Sequence, residues 1–253
     1  MMKEILVDVL RWVRTFVRDR FHLQNDNLPY YITISVATVL FVVALGGFIE
    51  LTDELAEDEL THFDQSVSEF VISFRSETLT SWFRICTDLG DVYAYIVITI
   101  LLAGWFYVNK RGWKFILQSV AVLALATASN VLLKRVINRA RPDAEHLVAV
   151  NTLSYPSGHS MSAMAFYGFL IYLCVRYEVK KPLRILIVTV LALLILSIGL
   201  SRIYLGVHFP SDVAAGFVGG FIWVMFCAII FNVFELWQMK NRSKKQNGST
   251  PEK

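Results

Sequence analysis

Six apolar stretches, at about residues 30–49, 91–108, 113–133, 160–176, 184–205 and 211–236, constrain this chain more than any other feature. Each is close to the roughly 20 residues that a helix needs to cross a bilayer. Inside hydrocarbon every backbone N–H and C=O must be paired within the segment, so runs of this length fold as helices. The expectation is an all-α integral membrane bundle of six transmembrane helices. The second stretch is the weakest of the six, because Asp91 stands at its start and its apolar run is short. Composition agrees with the membrane class: 55% of the 253 residues are hydrophobic, too many for an ordinary soluble domain.

The chain divides on this basis into residues 1–28, a membrane domain over 29–237, and a basic, unstructured tail over 238–253. In the first part Leu6, Val9, Leu10, Val13, Phe16 and Val17 recur at helical spacing, with Arg11, Arg14, Arg18 and Arg20 mostly between them. That pattern suits an amphipathic helix lying in the cytoplasmic membrane interface. A solvated helix packed on the bundle is the plainer alternative. Charges interleaved with apolar residues do not make a signal peptide. Between the first two spans, Phe63, Val67, Phe70, Val71 and Phe74 share a helical face. Residues 63–85 therefore read as one or two interfacial helices, which shield a site or simply pack on the bundle.

Topology follows from the positions of Lys and Arg. With six spans, the termini and the loops after spans two and four share one side and hold 17 of the 24 basic residues. The long loop 50–90 on the other side has only Arg75 and Arg84 against ten acidic residues. Both termini are expected in the cytoplasm, and the protein in an inner or plasma membrane. Cys86, Cys174 and Cys227 have no close spacing, so neither a disulfide framework nor a zinc site is expected.

Three polar stretches interrupt this pattern: Lys134–Pro142, Tyr155–Ser160 and Ser201–Asp212. The topology puts all three on the outer face. In the first, Lys134 ends span three, and Arg141 precedes the stiffening Pro142. Lysine is a compact charge and arginine a planar fork that matches phosphate oxygens. A basic cluster that binds anionic headgroups is the plainer reading of this stretch. In the second, Pro156 can occupy the first turn of span four. Ser157, Gly158 and His159 then present free N–H groups at a helix N-terminus, which favours an anion. In the third, Pro210 begins span six, His208 lies just before it, and Asp212 lies in its first turn. A carboxylate four residues after a histidine can hold one ring nitrogen and aim the other at a substrate. Arg202 supplies a further fork. Each stretch alone also reads as a structural helix end. Together their residue types match a phosphoryl-transfer inventory at a membrane edge, where ionisable residues are costly and tend to be functional.

The spacing Lys134-x6-Arg141-Pro142, Pro156-Ser157-Gly158-His159 and Ser201-Arg202-x5-His208-x3-Asp212 resembles the signature of the type 2 phosphatidic acid phosphatase family, the lipid phosphate phosphatases. No signature position departs. The resemblance implies a metal-independent lipid phosphatase without a cofactor. It implies that His208 attacks phosphorus, Asp212 orients it, and His159 protonates the leaving oxygen. It implies that Lys134, Arg141, Ser157, Gly158 and Arg202 hold the phosphate. The expected partners are a lipid phosphate substrate and the bilayer, with no nucleic acid; undecaprenyl diphosphate, phosphatidylglycerol phosphate, phosphatidate and a lipid A precursor are the candidate substrates. Phosphoryl transfer to another lipid or sugar acceptor, and non-catalytic lipid binding or transport, are the competing readings. The vanadate-dependent haloperoxidases share the pocket pattern but are soluble. Oligomeric state is not legible.

Overall fold

Helix ends in this chain are set by identifiable residues. Ser76 accepts from the Leu79 N–H and opens one helix, Ser157 accepts from the Ser160 N–H and opens another, and Pro210 stands at the first position of the last. Asn138, in the left-handed region at φ 51°, stops a third by donating to the Lys134 carbonyl. The computed structural model describes residues 27–110, 113–150, 152–177 and 179–247. Among them are eight helices: α1 (Leu28–Ala56), α2 (Thr61–Ser73), α3 (Glu77–Asp88), α4 (Val92–Val108), α5 (Lys114–Ile137), α6 (Gly158–Arg176), α7 (Lys181–Tyr204) and α8 (Pro210–Asn247). The amphipathic helix expected within residues 1–28 lies almost wholly outside the described residues.

The helices α1, α5, α6, α7 and α8 are each long and apolar enough to cross a membrane. A sixth candidate span requires two helices taken together. The helix α4 is only 17 residues long and meets the requirement together with α3, from which it is bent by 59° at Leu89–Asp91. Residues 63–85 fall on two separate helices, α2 and α3. At the other end α8 stays helical to Asn247, through most of the stretch expected as an unstructured tail.

Burial follows the solvent expected from the sequence. Along α1 only Ala37 is buried, while Val36, Val39, Leu40, Val42 and Val43 are exposed. On α7, Leu183, Ile185, Leu186, Leu193 and Leu196 are exposed. Continuous apolar surface of this kind is what acyl chains solvate and water does not. The chain forms two compact units. The larger is Leu40–Cys227, and the smaller takes α1 up to Val39 and α8 from Ala228.

Within the larger unit, Tyr95, Ala163, Phe166, Tyr167, Ile195 and Ile198 pack as one core between α4, α6 and α7. A second cluster, Phe83, Tyr204, Leu205 and Val207, joins α3 to the turn after α7. Small residues let α8 approach α6 closely. A Cβ on Gly216 would lie 2.7 Å from the Ser157 carbonyl oxygen, and one on Gly220 2.4 Å from that of Met161. The loop 139–157 is pinned by three backbone bonds: Leu147 N–H to Leu205 O, Ser154 N–H to Arg139 O, and Ser157 N–H to Asp212 O. That pinning brings all three polar stretches to one end of the unit.

Candidate active site

The α7–α8 turn places His208 and Asp212 on one another. With Pro210 at the first helical position, Phe209 stands at the helix entry and Asp212 in the first turn. The Asp212 Oδ2 accepts from the Phe209 N–H at 2.9 Å, as a third-position carboxylate does in a capping box. The same oxygen lies 3.3 Å from His208 Nδ1 and accepts from Ser154 Oγ at 2.5 Å. Its partner Oδ1 accepts from Arg139 Nη1 at 2.7 Å. Arg141 Nη1 stands 3.3 Å from His208 Nε2. Arginine only donates, so this network assigns the ring hydrogen to Nδ1 and the lone pair to Nε2. Burial pushes the His208 imidazole well below its ordinary pKa; Asp212 opposes that shift and is outweighed. A neutral imidazole with a fixed tautomer results.

His159 is the second residue of α6. Its Nε2 lies 2.8 Å from Asp91 Oδ1. Ser157 is fully buried beneath it as the N-cap, its Oγ accepting from the Ser160 N–H and from Ser160 Oγ. Two details of this helix start differ from the sequence reading. Pro156 lies before the N-cap and not in the first turn, because the chain enters α6 only at Gly158. The Ser157 N–H is not free either, since it donates to the Asp212 carbonyl at 2.9 Å. By position, the N–H groups of Gly158 and His159 are the first-turn donors that this helix start could offer an anion.

Cations surround the two histidines. Lys134, in the last turn of α5, donates to the carbonyls of Leu153 and Ser154. Arg141 is held by the carbonyls of Thr152 and Val207. Arg202 is 4% exposed and donates through Nη1 to Thr87 Oγ1 at 2.5 Å. Its Nε is buried and has no hydrogen-bond partner among the described residues. Leaving such a donor unsatisfied is costly, and an oxyanion would satisfy it.

A cavity of ≈ 430 Å³ unites these groups. Its lining includes Lys134, Arg141, Gly158, His159, Arg202 and His208. Ser157 and Asp212 stand behind the wall, each hydrogen-bonded to residues around it. Four further residues matter that the sequence reading gave no role. Asp91 reaches His159. Asn130, inside the apolar run of α5, donates to the Pro156 carbonyl at 3.0 Å. Arg139 bridges Asp212 to Asp64 of α2, whose Oδ2 accepts from Arg139 Nη2 at 2.7 Å. Asp64 also accepts from the N–H and hydroxyl of Ser211, so a residue of α2 caps the start of α8. Asn130 left a trace in the sequence as a polar residue inside an apolar run; Asp64, among Thr61, His62, Gln65 and Ser66, left none.

A bundle of membrane-length helices with a cationic, two-histidine cavity at one end defines a multi-pass membrane phosphatase. Residues 115–235 match the family model described as PAP2 superfamily. Phosphatidylglycerophosphatase B of Bacillus subtilis (strain 168) is 32% identical over 180 residues, which cover 69% of this chain and 86% of that protein. A lipid A 1-phosphatase of Rhizobium etli is 29% identical over 175 residues, covering 58% of this chain and 69% of the relative. The crystal structure of a transmembrane PAP2 type phosphatidylglycerolphosphate phosphatase from Bacillus subtilis superposes with a TM-score of 0.69 at 28% identity. It covers 76% of this chain and 95% of the other. The chain belongs to the PAP2 superfamily of membrane lipid phosphatases, and it is a phosphoric monoester hydrolase.

Proposed function

We propose that this chain removes the terminal phosphate from a lipid phosphate or diphosphate on the extracytoplasmic face of a cell membrane, through a phosphohistidine at His208. One observation carries the reading. A neutral His208, held through Nδ1 by Asp212, sets its Nε2 lone pair beside Arg141 in a cavity that Lys134, Arg202 and His159 also line.

The chemistry runs in two displacements. Lys134, Arg141, Arg202 and the first N–H groups of α6 hold the phosphate oxygens, with Ser157 supporting that helix start. These fixed donors stabilise charge developing in the transition state. The Nε2 of His208 attacks phosphorus, and the N–P bond forms as the P–O bond to the lipid breaks. Asp212 offsets the positive charge that the ring acquires. His159 gives its proton to the leaving oxygen. Water then attacks the phosphohistidine, and His159, now neutral, takes a proton from it as the N–P bond breaks. The cations do the charge stabilisation in this scheme, so no metal is required.

Phosphatidylglycerol phosphate leads as substrate, because the relative of which the chain covers 86% is a phosphatidylglycerophosphatase. Undecaprenyl diphosphate and phosphatidate follow. The outward sidedness rests on the 17 of 24 basic residues assigned to the opposite face.

The test is phosphate release by purified protein in EDTA from these three lipids. Release without added metal is expected, together with its loss in His208→Ala. Full activity in that variant would sink the phosphohistidine. Activity that requires Mg²⁺ would sink the metal-free scheme. An impermeant thiol reagent should label His146→Cys in intact cells; labelling only after permeabilisation reverses the sidedness.

A further inference from the structure

The turn between α3 and α4 does something that its place at a helix start does not require. Asp91 is the N-cap residue of α4, with extended backbone at φ −89° and ψ 158°. Aspartate at that position ordinarily accepts an N–H of its own first turn. Here the carboxylate makes no such bond. It reaches across to α6 instead, where Oδ1 lies 2.8 Å from His159 Nε2.

The turn is held where this reach is enforced. The Leu89 carbonyl accepts from the Tyr167 hydroxyl of α6 at 2.7 Å. Gly90 leaves no room for a side chain. A Cβ there would lie 2.8 Å from Ile198 Cγ2 and 3.2 Å from His159 Cδ2. The His159 ring is therefore packed on the turn backbone and bonded to the turn's carboxylate. Both Asp91 and His159 line the cavity.

Building on the reading of His159 as proton donor, we infer that Asp91 is its positioning residue: it fixes the ring and stabilises the imidazolium that donates. Burial, and after it the charges of Arg202 and Arg141 in the same cavity, oppose positive charge on that ring. A carboxylate at hydrogen-bond distance offsets them. With Nε2 on Asp91, Nδ1 is the ring atom that exchanges a proton with substrate. The site then holds two His–Asp pairs with opposite tasks, one keeping a neutral nucleophile and the other a charged acid.

A proton donor matters in proportion to how poor the leaving group is. An alkoxide needs the proton; p-nitrophenolate does not. The experiment compares first-turnover release of diacylglycerol from dioctanoyl phosphatidate with that of p-nitrophenol from p-nitrophenyl phosphate. It uses the full-length wild type, Asp91→Asn, Asp91→Ser, His159→Ala and the His159→Ala/Asp91→Asn double variant. Asparagine and serine both cap helices as well as aspartate does, so a purely capping role predicts near-wild-type rates in both variants.

The expected result is a loss of about 10- to 100-fold on the lipid phosphate for Asp91→Asn, smaller than the roughly 10²–10⁴-fold that a general acid itself contributes, because His159 stays in place. Asp91→Ser should lose as much or more. On p-nitrophenyl phosphate both should change by less than about 3-fold, because that leaving group departs without protonation. The double variant should be no slower than His159→Ala, as expected for residues acting as a unit. Equal losses on both probes, or lipid turnover left intact in the Asp91 variants while His159→Ala loses it, would overturn the role of Asp91. A His159→Ala variant without any leaving-group preference would instead overturn the assignment of His159 as the acid. A wild type inert toward both probes would overturn the phosphatase reading itself.

Discussion

The two histidines of the cavity sit in differently built surroundings. His208 is 3% exposed, and its carboxylate partner also takes donors from Arg139, Ser154 and the Phe209 backbone. The His159 side chain is 25% exposed, and its partner Asp91 is 49% exposed and tied to it alone among the described residues. A nucleophile has to keep one tautomer through the reaction, and rigid burial does that. A proton shuttle has to change its protonation state twice in each turnover, and an accessible pair permits it. The two pairs use the same residue types but differ in build: Asp212 meets Nδ1 at 3.3 Å among three further donors, and Asp91 meets Nε2 at 2.8 Å.

The strongest way to break this comparison is to remove the proposed nucleophile. His208→Ala should lose about 10⁴-fold or more in kcat, as deletion of a nucleophile that acts through a covalent intermediate does. A residual rate within about 10-fold of wild type would mean that another group attacks. Next comes Asp212→Asn, which keeps the shape but frees the tautomer. It should lower kcat by about 10²–10⁴-fold with little change in KM, by analogy with orienting carboxylates elsewhere. A mutant impaired only in KM would move Asp212 to substrate binding.

Arg139 sharpens the contrast, since it belongs only to the His208 side. Arg139→Gln leaves Asp64 and Asp212 without their shared cation and should cost about 3–5 kcal/mol, the range for breaking a buried ion pair. Thermal unfolding in detergent measures it. Adding Asp64→Asn should recover part of the loss, and strict additivity would refute the coupling.

The smallest effect is on pH. Burial lowers the pKa of folded His208 below its unfolded value, near 6.5. The unfolded chain therefore binds the additional proton as pH falls through that value. This contribution to stability is fully present above about pH 6.5 and declines below it. His208→Gln cannot take up that proton, so the Tm difference between wild type and variant should shift against the wild type from pH 7.5 to 5.5. A constant difference would mean that the ring titrates normally in the folded protein.

Much of the fold was readable because hydrocarbon imposes a simple rule: a span must be long, apolar and helical. The weak second stretch was the informative exception. Asp91 shortened it, and in the structure that stretch reaches membrane-spanning length only together with α3, across a bend that carries Asp91. Lys134, Arg141, Gly158, His159, Arg202 and His208 were legible from residue type and spacing, whereas Asp91 and Asn130, which line the same cavity, were not. The start of α6 lies two residues later than a Pro156 at the first helical position implies, since proline before an N-cap and proline in a first turn look alike in sequence.

The sequence by itself determined the membrane class, the cationic inventory and the pairing of His208 with Asp212. That pair is four residues apart at a helix entry, so local geometry brings it together. Only the tertiary structure decided the partners of the other groups. Arg139 and Asp64 meet across 75 residues, and Asp91 meets His159 from a different helix pair. No periodicity encodes such contacts. They depend on where α2 packs and on how sharply the chain bends between α3 and α4, which the summed packing of the bundle fixes.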